Sequence, residues 1–170
     1  VKDTENTING FKIPSMFDLL SMVDFDSLSG AQTTGYHGDF ILDNVLVTNE
    51  GVKLIDWRQD FNGDIKHGDM FYDLAKLNHN LIVNHGMIKD NQFKIDFRGH
   101  ETVECDINVK KSLIDCRQVL IDFCGKKNIH YKNIDILTSI IWINMAPLHE
   151  HPFDIFLYYF GKYNLFLKLQ

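Results

Sequence analysis

Three side chains in the first third of the chain have the types and the spacing that phosphoryl transfer requires. Asp39 and Asn44 are five residues apart, and Asp56 follows twelve residues after Asn44. The Asp39 carboxylate could accept a proton from a hydroxyl group. The oxygens of Asn44 and Asp56 could hold magnesium, which prefers hard oxygen ligands, beneath the phosphates of a nucleotide. Because this chemistry depends mainly on alignment and on positive charge against the phosphate oxygens, these residues predict a phosphoryl-transfer centre.

Two short apolar runs are predicted to position the second acidic residue. They are Val45-Leu46-Val47-Thr48 and Val52-Lys53-Leu54-Ile55, separated by the turn-forming Asn49-Glu50-Gly51. This pattern of strand, turn and strand is typical of a β-hairpin. Such a hairpin would return the chain so that Asp56 lies beside Asn44.

The motifs in this region resemble the signature set of the aminoglycoside phosphotransferase and choline kinase family. They are His37-Gly38-Asp39 followed by Asn44, then Ile55-Asp56-Trp57, then Gly68-Asp69-Met70-Phe71-Tyr72-Asp73-Leu74-Ala75. The longer runs 55–61 and 72–76 resemble a bacterial branch associated with surface-polysaccharide biosynthesis. The resemblance covers residues 35–76, and three ordered motifs are far more specific than any one of them.

The resemblance implies a protein-kinase-like fold and an enzyme that uses ATP and Mg²⁺. Asp39 matches the catalytic base of the family, and Asn44 and Asp56 match its metal ligands. Asp69 matches a residue that braces the catalytic loop. His37, Asn44 and Asp56 are therefore expected at the nucleotide and its metal.

Two further residues in this region bear on the site. Arg58 is expected at the nucleotide, where its guanidinium could bind a phosphate or carboxylate through two hydrogen bonds. The alternative is that Arg58 pairs with Asp60 or Asp64 in the same loop. Ile41 departs from the family pattern, because many members carry a second His there, although the spacing of the site residues is kept.

Composition and charge limit the classes of protein to which the chain can belong. The 170 residues, 45% of them hydrophobic, are enough for one domain spanning 1–170. The net charge of −6 and the absence of a basic run argue against a nucleic-acid partner. Three Cys without a CxxC motif indicate reduced thiols and a cytoplasmic protein, and Cys116 and Cys124 are predicted to be core residues. The longest apolar stretch, 153–169, contains charged residues and does not predict a membrane span.

The apolar patterning predicts an α+β fold that is mainly α-helical. Residues 1–12 are predicted to form a loose entry segment, and residues 24–35 to form turns and a connection. Helices are predicted over 14–23, 69–83, 109–123 and 134–145, with the third ending near Gly125 and a last one opened by Pro152. Residues 91–106 predict a hairpin that turns at Arg98-Gly99-His100.

The residues before His37 do not contain the parts that cover a nucleotide in a kinase-like enzyme. There is no GxGxxG motif, and the patterning predicts no Lys on a strand, since Lys2 and Lys12 lie in polar surroundings. We therefore expect the chain to be the C-terminal catalytic lobe of the fold. The N-terminal lobe would come from a longer protein or from another chain.

These observations favour the lobe of an ATP-dependent phosphotransferase that acts on a small-molecule hydroxyl. The family resemblance makes a sugar or polysaccharide precursor the first expectation for the acceptor. The alternative is a catalytically incomplete module of the same fold that binds a nucleotide or a partner. A metal-dependent phosphohydrolase is disfavoured, because the sequence has no second His and Asp cluster with two-metal spacing.

Overall fold

A computed structural model describes residues 3–29, 32–33, 35–99 and 101–170. About half of the chain is helical, and the fold is mixed α+β as predicted. The helices are α1 (Met16–Ser21), α2 (Phe25–Leu28), α3 (Met70–Ile82), α4 (His85–Lys89), α5 (Lys111–Lys126), α6 (Tyr131–Met145) and α7 (Phe153–Leu169). The strands are β1 (Asn6–Ile8), β2 (Phe11–Ile13), β3 (Gln32–Thr33), β4 (Val45–Thr48), β5 (Gly51–Leu54), β6 (Gly68–Asp69), β7 (Phe93–Arg98) and β8 (Thr102–Ile107).

The prediction of a loose segment over residues 1–12 was wrong. β1 and β2 pair as an antiparallel hairpin whose two turn residues, Asn9 and Gly10, have φ values of +49° and +82°. An Asn-Gly pair suits the type I′ turn that matches the twist of a hairpin. Ile8 and Ile13 are fully buried, so the hairpin contributes to the core.

The N-terminal hairpin completes a four-stranded sheet of order β2-β1-β8-β7. β1 runs parallel to β8. The Asn9 side chain donates a hydrogen bond to the Cys105 carbonyl and accepts one from the Cys105 N–H, each at 2.9 Å. β7 and β8 form the hairpin predicted over 91–106. The turn between them was predicted at Arg98-Gly99-His100, of which His100 lies outside the described residues.

The connection predicted over residues 24–35 contains regular structure that the patterning missed. The short helix α2 is capped by Asp24, whose carboxylate accepts from the Ser27 N–H at 3.3 Å. β3 pairs with β6, which joins the segment before the candidate site to the start of α3. Residues 30, 31 and 34 of this segment lie outside the described part of the chain.

The long helices form the main core. α6 packs against both α3 and α7. The largest buried cluster includes Trp142 on α6 and Phe156, Leu157 and Phe160 on α7. A second cluster lies between α3, α5 and α6 and includes Leu74. The helices predicted over 69–83, 109–123 and 134–145 correspond to these elements. Within the described ranges, no helix has both the length and the apolar character that crossing a bilayer requires.

The end of α5 agrees with the prediction to within one residue, whereas the burial of one of its Cys residues does not. The helix continues through Gly125 to Lys126, because one internal Gly costs only about 1 kcal/mol, and the positive φ of 56° falls later, at Asn128. Cys124 is buried as expected, but Cys116 is exposed. Cys116 lies at the edge of the apolar face of α5, along an open groove lined by Phe40 and Leu77 among others.

Candidate functional site

The loop before β4 is held by a carboxylate on α3. One oxygen of Asp73 accepts from the His37 N–H at 2.7 Å and the other accepts from the Gly38 N–H at 2.8 Å. Hydrogen bonds to a charged acceptor are stronger than neutral ones, so Asp73 fixes the conformation of the loop immediately before Asp39. The described contacts thus show a brace on the loop at Asp73, one helical turn after Asp69, and the bracing role expected of Asp69 stays a prediction.

Asp69 has a different position in the fold. Its carboxylate accepts from the Phe71 N–H at 2.7 Å and caps the N-terminus of α3. It also accepts from the Ser29 hydroxyl at 3.4 Å. Asp69 therefore orders the start of the helix that carries the brace.

Gly38 allows the loop and the segment after β5 to approach closely. Its φ is +77°, and a Cβ added there would lie 2.6 Å from both Cβ and Cγ of Arg58. The Arg58 N–H also donates to the His37 carbonyl at 2.9 Å. Only Gly tolerates both the positive φ and the close contact with Arg58 at this position, which explains the middle residue of the His37-Gly38-Asp39 motif.

His37 is buried, with 3% of its surface exposed. Its ring stacks on Trp57 with the ring centres 4.8 Å apart, and its Nδ1 accepts from the Asp39 N–H at 3.3 Å. Nε2 of His37 is buried and has no hydrogen-bond partner among the residues that the structure describes. His37 thus joins the loop to the segment after the hairpin, and its contact with a nucleotide stays a prediction.

Asp39 forms an ion pair that the sequence did not indicate. Lys76 on α3 lies 2.8 Å from Asp39 Oδ1, and the two side chains are 11% and 17% exposed. The low exposure means that water screens this pair less than a surface pair. Asp73, Lys76, His79 and Asn80 follow α3 at helical spacing, and this polar stripe within an otherwise apolar helix is the signal that would have found them.

Asn44 is oriented by the same loop. Its side-chain Nδ2 donates to the Asp39 carbonyl at 2.9 Å, and its Oδ1 accepts no hydrogen bond from any described residue. The hairpin of β4 and β5 forms as predicted, with Val45 opposite Leu54, and the Ile55 N–H donates to the Asn44 carbonyl at 3.0 Å. The chain therefore returns to Asn44 one residue before Asp56.

The donor set at this position fits a magnesium ion. Asp56 is exposed, has a φ of +59°, and makes no hydrogen bond or ion pair with the described residues. One free carboxylate and one free amide oxygen are the hard ligands that magnesium combines with phosphates and water. Within the described ranges there is no group of three or more His, Cys, Asp or Glu that could hold a metal ion. The assignment of Asn44 and Asp56 as metal ligands stays a prediction.

Arg58 does not make the loop contacts considered as its alternative role. Asp60 accepts from the Gly63 N–H at 2.9 Å, and Asp64 pairs with His67 at 3.0 Å. Within the described part of the chain, Arg58 is in no ion pair. Its guanidinium is therefore available to a ligand.

A pocket of about 420 Å³ opens beside Asp39, a size that suits a small molecule. It lies between α3, α4, α6 and the segment that leads into α7. Its polar lining includes Arg58, Tyr72, Lys76 and His79, and the rest of its wall is largely aliphatic. Burial, and next the positive charge of Lys76, lower the pKa of His79 to about 3, so this imidazole is neutral at ordinary pH. The sequence analysis did not predict the pocket.

Comparison with known proteins agrees with the motifs. Residues 20–92 match the model of the phosphotransferase enzyme family. The comparison with curated proteins and the comparison with solved structures each returned no significant match. The matched segment contains the loop, the hairpin and all of α3, and hence every predicted site residue. The match supports the predicted resemblance, and the chain is similar to the phosphotransferase enzyme family across the segment that builds the candidate site.

Proposed function

We propose that this chain is the catalytic lobe of a kinase-like phosphotransferase. In the proposed reaction an acceptor hydroxyl oxygen attacks the γ-phosphorus of ATP, the bond to the β–γ bridging oxygen breaks, and ADP leaves. The hydroxyl proton passes to Asp39. Asn44 and Asp56 would hold the magnesium ion, which supplies positive charge against the phosphates. A sugar or polysaccharide precursor remains the first expectation for the acceptor, and it rests on the family resemblance alone.

The observation that carries the proposal is that the loop separates the oxygens that could bind a metal from the carboxylate that could accept a proton. The Asn44 amide N–H donates to the Asp39 carbonyl and its oxygen stays free. The hairpin brings the segment that contains Asp56 back to Asn44. The Asp39 carboxylate instead faces Lys76 and the pocket. This supports a metal function for one pair of residues and a separate acceptor function for Asp39.

The ion pair of Asp39 favours the second candidate, a binding module without catalytic activity. One oxygen of the Asp39 carboxylate is already held by Lys76 at 2.8 Å, so that oxygen is not free to accept a proton from a hydroxyl. Such a module would bind nucleotide through the same residues without transferring phosphate. Measurement of both binding and turnover separates the two candidates.

The first experiment measures magnesium-dependent ATP consumption with and without candidate acceptors. It uses both the 170-residue chain and a chain extended by the sequence that its gene encodes upstream. We expect acceptor-dependent turnover from the extended chain and little from the 170 residues, since a nucleotide without a covering lobe is poorly held in line. Nucleotide binding without acceptor-dependent turnover by the extended chain would favour the binding module.

The second experiment titrates magnesium against three variants. Asp56→Ala should weaken magnesium–nucleotide binding more than Asn44→Ala, because it removes a charge as well as an oxygen ligand. Glu50→Ala is the matched control, since it removes an exposed carboxylate that pairs with Lys53 on the same hairpin. Unchanged magnesium dependence in Asp56→Ala would exclude Asp56 from the metal site.

A further inference from the structure

The pocket beside Asp39 has a charged end and an apolar end. Its α3 wall runs from Tyr72 through Lys76 to Val83, and a rise of 1.5 Å per residue separates the first and last by roughly 16 Å. Asp39 contacts Lys76, and both Asp39 and Arg58 act electrostatically on the Tyr72 hydroxyl. The charged groups therefore gather at the Tyr72 end of the pocket.

The far end is formed mainly by aliphatic and aromatic side chains. They come from α4, from α6 and from the segment that leads into α7: Ile88, Leu137, Ile140, Met145, Leu148 and Phe153. Polar side chains line the pocket beside them: Asn84, His85, Asn144 and His149. Leu148 is 80% exposed and lies at the rim. An apolar part of a ligand would cover this surface and be removed from water.

The charges of the lining favour an anion over a cation. Among the described residues that line the pocket, Asp39 is the only one with a carboxylate, and it is already paired with Lys76. The Arg58 guanidinium lines the same end and has no carboxylate partner in the described part of the chain. A ligand ammonium would meet two positive side chains and one occupied carboxylate, whereas a ligand carboxylate or phosphate would meet an available guanidinium.

The pocket also has uncharged polar side chains in its lining. They are the amides of Asn84 and Asn144 and the neutral imidazole of His79. An amide group can both donate a hydrogen bond to a ligand hydroxyl and accept one from it. This arrangement suits an uncharged, hydroxylated portion between the two ends.

We propose that the pocket binds an amphipathic acceptor whose hydroxylated head carries an anionic group, recognised by Arg58 beside the Asp39–Lys76 pair, and whose apolar portion lies against the Leu148 end. The proposal rests on the proposed function, because it assigns this acceptor to the pocket that Asp39 faces. It selects against amine-bearing acceptors, since the lining offers them no unpaired carboxylate.

The test measures direct binding to the chain without nucleotide, so that it stays informative if phosphoryl transfer fails. The probes are octyl β-D-glucuronide, octyl β-D-glucoside and octyl 2-amino-2-deoxy-β-D-glucoside, each titrated below its micelle concentration and followed by NMR or calorimetry. We expect the glucuronide to bind roughly tenfold more tightly than the glucoside, the effect of one charge-assisted hydrogen bond, and the aminoglucoside to bind most weakly. Equal or tighter binding of the aminoglucoside would overturn the proposal.

Variants and a shortened probe test each part of the assignment. Arg58→Gln should abolish the advantage of the glucuronide over the glucoside, whereas Lys111→Gln should retain it, because Lys111 pairs with Asp115 on the exposed face of α5. Methyl β-D-glucuronide should bind more weakly than the octyl compound, because it lacks the apolar portion. Equal affinities for the methyl and octyl compounds, or a full glucuronide advantage in Arg58→Gln, would contradict the inference.

Discussion

Helix α3 carries polar side chains into two clusters of different character. Asn78 points into a buried cluster with Asp135 that we call the Asp135 cluster, and Asp73, Lys76 and His79 point towards the candidate site. In the Asp135 cluster, Asp135 accepts from Asn78 at 3.1 Å and pairs with Arg117 at 2.9 Å and with Lys168 at 2.8 Å. The Asn78 oxygen accepts from Arg117 and from the Tyr131 hydroxyl.

The candidate site is only partly paired. Four of its polar groups have no hydrogen-bond or ion-pair partner among the described residues: Asn44 Oδ1, the Asp56 carboxylate, the Arg58 guanidinium and His79 Nδ1. His79 Nδ1 is the buried atom among them, whereas Asp56 and Arg58 are exposed and a ligand can reach them. The polar groups of the Asp135 cluster bond one another and join α3, α5, α6 and α7, whereas several polar groups of the candidate site have no partner within the described part of the chain.

The largest expected effect is loss of activity at the open site. In the chain extended upstream, Asp39→Asn should lower the rate of phosphoryl transfer by about 10²–10⁴, the usual cost of losing a positioned base. The fold should be retained, because the Asn44 bond goes to the backbone of residue 39. Turnover measured beside thermal unfolding checks both points. Turnover near that of the wild type would remove Asp39 from the proposed role.

The Asp135 cluster should respond in the opposite way. Asp135→Ala leaves Arg117 and Lys168 without their carboxylate, and we expect a loss of about 3 kcal/mol in the free energy of unfolding. Their partial exposure keeps the loss towards the lower end of the range. Asp115→Ala, which breaks an exposed pair with Lys111, is the control and should cost well under 1 kcal/mol.

Urea unfolding measures both free energies, and turnover is compared per folded molecule. The Asp135→Ala protein should keep its turnover by that measure. A specific loss of activity without a loss of stability would show that the Asp135 cluster is not purely structural.

The brace on the loop should affect both stability and activity. Asp73→Asn keeps one acceptor oxygen for two backbone N–H groups, so we expect the free energy of unfolding to fall by about 1–3 kcal/mol. Turnover should also be lower, because Asp39 is less well held. Asp69→Asn is the comparison, since Asn also caps helices well. The two variants are ranked by turnover and by urea unfolding. A greater loss of turnover in Asp69→Asn would support the bracing role expected of Asp69.

The last expected effect is confined to acid pH and leaves stability at neutral pH unchanged. The pKa of His79 is about 3 in the folded protein and about 6.5 when unfolded, so the unfolded state takes up the proton first as the pH falls. The stability contributed by neutral His79 is therefore present above pH 6.5 and is lost between pH 6.5 and 3. The loss is at most about 1.4 kcal/mol per pH unit.

His79→Phe should flatten the dependence of stability on pH in this window. The control is His67→Gln, which changes an exposed His paired with Asp64. The measurement is the free energy of unfolding between pH 6.5 and 4 for the wild type and both variants. Identical slopes for the wild type and His79→Phe would show that His79 is not buried as a neutral group.

The N-terminal hairpin and α5 show where the sequence was informative and where its patterning misled. Asn9-Gly10 is a local signal for a type I′ turn and was available from the sequence, but the polar composition of residues 1–12 obscured it. Cys116 has the helical spacing of a core residue and is exposed. Its spacing places it on a face of α5, and only the packing of α5 decides how much of that face is covered.

The sequence by itself determined the parts of the site that are close along the chain. The spacing of Asp39 and Asn44, the hairpin before Asp56 and the cap at Asp69 are local, because turn and strand preferences act over a few residues. Tertiary structure decided the rest. The brace joins Asp73 to His37 and Gly38, which lie 36 and 35 positions earlier in the chain. Lys76 reaches Asp39 only because α3 packs beside the loop. Such long-range pairings depend on how whole elements pack, and for that reason the pocket and its charges were not readable from the motifs.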